Sequence, residues 1–207
     1  MELEFAADAD AINGLMRAKA LVACRDGRPR TQSLKIVWHD SPDHALRAAG
    51  VALAECGGAW RLERLTPGPE SWLPAHPAPV IAEPPDLATL PSPLAPLAAF
   101  EGRRTSNVLL LDPGPVTLTV ARGVLRAVTD ERPVGRVWLS GEPAAMRTAL
   151  DLVMEAAPIA VPRATLAAEA IAQASGAEPP LRRTGAPKLP GRLSGHLSGH
   201  LSGHLSG

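Results

Sequence analysis

Residues 105–139 read TSNVLLLDPGPVTLTVARGVLRAVTDERPVGRVWL, and this stretch decides the fold class. Short apolar and β-branched runs alternate with turn residues, as in an antiparallel meander. The runs are Thr105–Leu111, Val116–Ala121, Val124–Val128 and Val134–Leu139. Asp112-Pro113-Gly114, Arg122-Gly123 and Asp130–Pro133 separate them, each rich in residues that turn a chain. Side chains alternate along a strand, so Arg136 and Trp138 share one face and Val137 and Leu139 the other.

Upstream, Met1 to Phe5 reads as a strand with Glu2 and Glu4 on one face and Leu3 and Phe5 on the other. Residues 8–21 suit a helix with Ala11, Ile12, Leu15, Met16 and Ala20 as its apolar stripe. A strand fits 33–39, and Ser41-Pro42-Asp43 signals a short helix through Arg47, with Ser as N-cap and Pro at the first helical position. Residues 51–55 and 59–65 form a hairpin turning at Gly57-Gly58. Arg61 and Glu63 face one way there, and Trp60 and Leu62 the other; a polar interior strand and ordinary surface alternation both fit. The Pro-crowded segment from Thr66 to Pro96 reads as irregular, with an edge strand at Val80–Ile81. Downstream, helices fit 142–156 and 164–174. Beyond Gly176 the apolar periodicity stops, and Leu193 to Gly207 repeats Leu-Ser-Gly-His, a composition that reads as a flexible, disordered tail.

Composition narrows the function classes. The chain of 207 residues has 21 basic and 21 acidic groups, 22 prolines and no tyrosine. Residues 177–207 hold four basic groups and one acid, which leaves 17 basic and 20 acidic residues before them. A mildly acidic body followed by a basic tail lacks the broad cationic footprint of a nucleic-acid-binding protein. No apolar run is long enough for a membrane helix, no basic-then-apolar leader opens the chain, and Cys24 and Cys56 make no disulfide framework. The expectation is a cytoplasmic protein without a membrane partner.

Several strings, taken in order, resemble the CYTH family of triphosphate tunnel metalloenzymes. The family's opening Glu-x-Glu-x-Lys strand stands here as Glu2-Leu3-Glu4-Phe5-Ala6. Trp38-His39-Asp40-Ser41-Pro42-Asp43, followed by Leu46-Arg47 and Gly50, resembles its aromatic strand and Asp-Thr-Pro-Asp turn. Gly57-Gly58-Ala59-Trp60 resembles the next hairpin, Arg103-Arg104-Thr105 the Arg-rich strand, and Arg122-Gly123 and Gly141-Glu142-Pro143-Ala144 later turns. The likeness spans 1–174, a CYTH-like domain, and resembles the N-terminal module of CYTH–CHAD proteins. Residues 175–207 then correspond to a Pro- and Gly-rich linker and the repeat tail, and a CHAD-type helical domain is the partner that such a linker implies.

The resemblance implies an α+β fold: an antiparallel eight-stranded β-barrel, the triphosphate tunnel, with flanking helices. It implies an inorganic triphosphatase-like activity in which Glu2 and Glu4 are catalytic and hold Mg²⁺ or Mn²⁺. Arg61, Arg103, Arg104 and Arg136 become the phosphate-binding candidates, because guanidinium groups pair with phosphate oxygens bidentately. Arg103 and Arg104 face opposite ways, so only one can point inward, and the sequence does not choose. Departures from the pattern are concentrated in the charged positions. Ala6 replaces the first Lys, Ala54-Glu55-Cys56 an Arg-x-Arg, Ala121-Arg122-Gly123-Val124 an Asp-x-Gly-Glu turn, and Arg136-Val137-Trp138 a Glu-x-Glu strand. Losing acids from two strands implies weakened or lost metal-dependent hydrolysis, with binding of triphosphate, polyphosphate or a nucleotide retained. The alternative from another class is a non-catalytic structural or interaction module that keeps the barrel.

Overall fold

The computed structural model describes residues 1–66, 80–81, 86–90, 93–128 and 130–179. In chain order the elements are β1 (Glu2–Ala6), α1 (Ala9–Arg17), α2 (Lys19–Ala23), β2 (Arg25–Asp40), α3 (Ala45–Ala48), β3 (Val51–Cys56) and β4 (Ala59–Arg64). There follow β5 (Val80–Ile81), β6 (Ala95–Leu110), β7 (Pro115–Ala127), β8 (Glu131–Gly141), α4 (Pro143–Ala156) and α5 (Leu166–Ser175). Every strand joins one antiparallel sheet in the order β1-β8-β7-β6-β2-β3-β4-β5.

This is an α+β fold, but the expected closed eight-stranded barrel is corrected to an open, curled sheet. Its edges, β1 and β5, do not pair with each other among the described residues. Among the described residues the β5 edge contributes the pairs Leu62↔Ile81 and Glu63↔Val80, too short a ladder to carry the sheet round to β1. Seven longer strands therefore form a half-barrel, with β5 as a short addition.

The two faces are covered differently. Leu3 and Phe5 of β1, Leu118 and Val120 of β7, and Val137 and Leu139 of β8 form one core with Ile12 and Leu15 of α1 and Met146 and Val153 of α4. Burying each large aliphatic side chain there contributes about 1.5–3 kcal/mol. On the concave face Ile36, Trp38, Phe100 and Leu125 pack against Ala167, Ala168, Ala170 and Ile171 of α5. Alanines along that side of α5 let the helix backbone approach the curled sheet closely. Among the described residues no helix is long and apolar enough to cross a membrane.

Several local expectations are revised. The strands expected at Val116–Ala121 and Val124–Val128 are one strand, β7, running straight through Arg122-Gly123. Gly123 pairs with Gly102, and a Cβ on either would collide with the backbone carbonyl oxygen of Arg122 or Glu101. The glycine there permits close strand approach rather than a turn. By contrast, Gly57 and Gly58 both have positive φ (59° and 82°), as a two-residue hairpin turn of the primed kind requires.

The helix expected over 8–21 breaks at Ala18, whose ψ of 122° is extended. The strand at 33–39 extends to Arg25–Asp40. The helix expected from Pro42 begins only at Ala45, and Asp40 shares its capping with the expected Ser41, whose hydroxyl accepts from the Ala45 N–H at 3.2 Å. The buried Asp40 carboxylate accepts from the Ser41, Leu46 and Arg47 backbone N–H groups at 2.8, 2.9 and 3.1 Å. The Ser41 hydroxyl donates to Asp43 and holds its carboxyl below the ordinary value. At the far end α5 stops at Gly176, which takes the left-handed conformation (φ 62°) typical of a helix terminus. Residues 180–207 of the expected linker and tail lie outside the described residues.

Candidate functional site

The curl of the sheet leaves a cavity of about 610 Å³ on the concave face, beside the N-terminal turn of α5. Strand alternation decides which side chains reach it. From β1, Glu2 and Glu4 point inward while Leu3 and Phe5 go to the opposite core. From β8, Arg136 and Trp138 line the cavity while Val137 and Leu139 pack against the helices. β4 supplies Arg61, Glu63 and, at its end, Arg64; β6 supplies Phe100 and Arg104. Arg103 is exposed and does not line the cavity: it pairs with Ser33 and Arg122 on the neighbouring strands. Of the two adjacent arginines, Arg104 is the one that reaches the site.

Arg136 is buried between two acids, its Nε and Nη2 within ion-pair range but without a hydrogen bond among the described residues. Its Nε lies 3.4 Å from Glu4 Oε1, its Nη2 2.7 Å from Glu169 Oε1, and its Nη1 donates to the Gly135 carbonyl at 3.1 Å. The other Glu169 oxygen is 2.7 Å from Arg132 Nη2, and Arg132 Nε donates to Gln173 Oε1 at 3.1 Å. Two arginines and two glutamates thus tie β1, β8 and α5 together with no net charge. Across the cavity, Arg61 binds Glu63 through Nε and Nη2, both at 2.6 Å, and Trp38 Nε1 donates to the other Glu63 oxygen at 3.1 Å. Arg64, Arg104 and Glu2 remain without an ion pair or hydrogen bond to any described residue, so the cavity presents two unengaged cations and one unengaged anion.

α5 closes one end of the cavity with Thr165, Leu166 and Ala167. The Thr165 hydroxyl accepts from the Ala168 N–H at 3.1 Å, capping the helix, and donates to the Leu65 carbonyl at 3.1 Å. A polar N-terminal turn is thereby fixed against the end of β4.

Sequence reasoning did not single out Gln32, Arg64, Trp138, Thr165 or Glu169 for the site. Gln32 fell outside the strand expected at 33–39. Glu169 has no local signature, since its partners lie 33 and 37 residues away on β8. Thr165 followed by Glu169 on an apolar helix gave a usable sign of a helix start beside an acid.

A divalent metal does not fit these side chains. Hard cations are held by several oxygens at once. Glu4 is engaged with Arg136 and Glu63 with Arg61, and among the described residues no group of three or more His, Cys, Asp or Glu could hold a metal ion. His39 and Asp40 are otherwise placed: His39 stands 3.4 Å from Glu55 and stacks at a tilt on Trp60, and Asp40 caps α3.

No protein-family model and no curated protein sequence matches the chain. Solved structures do. A candidate adenylyl cyclase from Hippeastrum, HpAC1, described as having a dominant triphosphatase activity, is 13% identical with a TM-score of 0.53, over 86% of this chain and 97% of that one. A candidate adenylate cyclase from Bacillus halodurans is 10% identical (TM-score 0.38) over 76% of this chain and 90% of that one. The PH1819 protein of Pyrococcus horikoshii is 12% identical (TM-score 0.36) over 75% of this chain and 87% of that one. The chain has a fold of the CYTH type.

Proposed function

We propose that the concave cavity binds a phosphate-bearing ligand, a triphosphate, polyphosphate or nucleotide, and that metal-dependent hydrolysis is weakened or lost. The observation that carries this reading is the convergence of Arg61, Arg64, Arg104 and Arg136 on one cavity of a size suited to a small molecule. Arg104 and Arg64 are open to an incoming anion, whereas Arg61 must loosen its hold on Glu63 to join them. Arg136 shapes the local field but is already neutralised, so it contributes to phosphate binding less than a free guanidinium. The triphosphatase activity described for the Hippeastrum protein makes a phosphoanhydride the natural class to test. Glu2 and Glu4 are the acids that a residual hydrolytic site would use, but the pairing of Glu4 with Arg136 opposes it.

Isothermal titration with tripolyphosphate, in the presence of EDTA and then of Mg²⁺ or Mn²⁺, tests the reading. Binding in EDTA without turnover in either metal is expected. Absence of binding at millimolar ligand in all conditions counts against it.

The second reading, a non-catalytic structural or interaction module, is favoured by one observation: the Glu4–Arg136–Glu169–Arg132 ion pairs tie α5 to the sheet. On that reading the partner is a protein, with a CHAD-type helical domain the first to try.

A further inference from the structure

We infer that Arg136 is a built-in cation in the place of a divalent metal, so that the cavity takes its phosphate ligand metal-free and Mg²⁺ works against binding. The inference rests on the phosphate-binding reading and adds its regulation by metal. What carries it is the mismatch between the acids of the cavity and the metal that the family resemblance implies.

Carboxylates from separate elements that converge on one point are the means by which a protein gathers a hard cation. Glu4 of β1 and Glu169 of α5 do converge, but on a guanidinium: Arg136 Nε stands 3.4 Å from Glu4 Oε1 and Nη2 2.7 Å from Glu169 Oε1. That guanidinium is tethered to β8 and its side chain is 5% exposed, so it does not step aside as a surface side chain does. Glu63 is committed as well, one oxygen to Arg61 and the other to the Trp38 indole. Glu2 is the cavity acid with no ion pair or hydrogen bond to a described residue. One carboxylate supplies at most two of the roughly six oxygens that Mg²⁺ demands.

Charge points the same way. Among the described residues Arg61, Arg64, Arg104 and Arg136 line the cavity against Glu2, Glu4 and Glu63, an excess of one positive charge. A metal-free polyanion is drawn to that field. Its Mg²⁺ complex has lost two negative charges and brings a dication up to Arg64 and Arg104, which no described acid neutralises. Like charges repel more strongly in such a cavity than in bulk water. The metal therefore competes with the protein for the ligand instead of bridging the two. No covalent step is involved.

The test is isothermal titration of tripolyphosphate into the full chain, in EDTA and again in millimolar Mg²⁺. The Mg²⁺ complex forms in solution whichever protein is present. A site that accepts the complex shows an unchanged affinity, and a site that rejects it shows a weaker one. Apparent affinity is expected to fall by about tenfold or more in Mg²⁺. Arg136→Gln takes the shared cation from Glu4 and Glu169, so the ratio of the affinities in EDTA and in Mg²⁺ should shrink, with circular dichroism confirming the fold. If that variant does not fold, the ratio in the parent chain carries the test alone. Equal or tighter binding in Mg²⁺, or the parent's ratio in a folded Arg136→Gln, overturns the inference and leaves the phosphate-binding reading standing. If tripolyphosphate binds in neither condition, both fall.

Discussion

On the β8 side of the cavity the Arg136 and Glu4 side chains are 5% and 6% exposed; on the β4 side Arg61 and Glu63 are 38% and 14% exposed. Both sides are Arg–Glu pairs within one cavity, yet their energetics differ. Buried charges lose hydration, and only a complete set of partners compensates; a half-exposed pair keeps most of its water and exchanges partners readily. The β8 cluster answers with charge, a second acid, Glu169, brought in by α5, while Arg136 Nε and Nη2 stay without a hydrogen bond among the described residues. The comparison separates a strut, which holds α5 on the sheet, from a pair that a ligand can enter.

Breaking the strut should give the largest effect. Arg136→Met takes from Glu4 and Glu169 the cation that they share, and a loss of about 3 kcal/mol in urea unfolding is expected. Adding Glu169→Leu to that variant should restore part of the loss, because one of the two acids that faced Arg136 is gone and Arg132, 41% exposed, keeps its water. A stability change below the uncertainty of the unfolding curve would mean that the network does not hold α5.

The β4 pair should respond differently. Glu63→Gln is expected to cost less stability than loss of Arg136, because Arg61 is 38% exposed and keeps water when its partner is neutral. It should also strengthen metal-free tripolyphosphate binding, since Arg61 is released toward the cavity. Weaker binding in this variant would place Arg61 outside the phosphate site.

The smallest effect should come from an exposed pair remote from the cavity. Lys35 Nζ lies 2.8 Å from Glu101 Oε1 and pulls that carboxyl below its ordinary value of 4.5, first through the hydrogen bond and then through its charge. A depressed carboxylate stabilises the folded state above the unfolded value, and the contribution is lost as pH falls through the lower folded value. Lys35→Ala should therefore lower Tm slightly at neutral pH, and the difference from the parent should vanish as pH falls below about 4.5.

Much of this comparison was legible in the alternation of the strands. Leu3 and Phe5 against Glu2 and Glu4, and Val137 and Leu139 against Arg136 and Trp138, separate the packed face from the cavity without reference to any contact. The hairpin at Gly57-Gly58 was also plain, because positive φ at both positions has a sequence signature. What stayed hidden was of two kinds. Gly123 carries the same letter as a turn glycine but serves close approach to Gly102, and one chain alone does not distinguish the two. The partners of Arg136 depend on where α5 lands, and Glu169 sits far along the chain from β8. A carboxylate pair expected to hold metal was thus half-committed to an arginine, a fact of tertiary placement rather than of motif. Sheet closure was likewise beyond periodicity, since it turns on a two-residue ladder at β5.

Arg103 and Arg104 offer the most direct test, because they are adjacent, equally charged and both exposed, and only Arg104 lines the cavity. Metal-free titration of tripolyphosphate against Arg103→Gln and Arg104→Gln isolates position from charge. The account predicts that Arg104→Gln weakens binding by about tenfold, the worth of one charge-assisted contact, while Arg103→Gln matches the parent. Equal losses in the two variants, or a loss confined to Arg103→Gln, would contradict the placement of the phosphate site in the concave cavity.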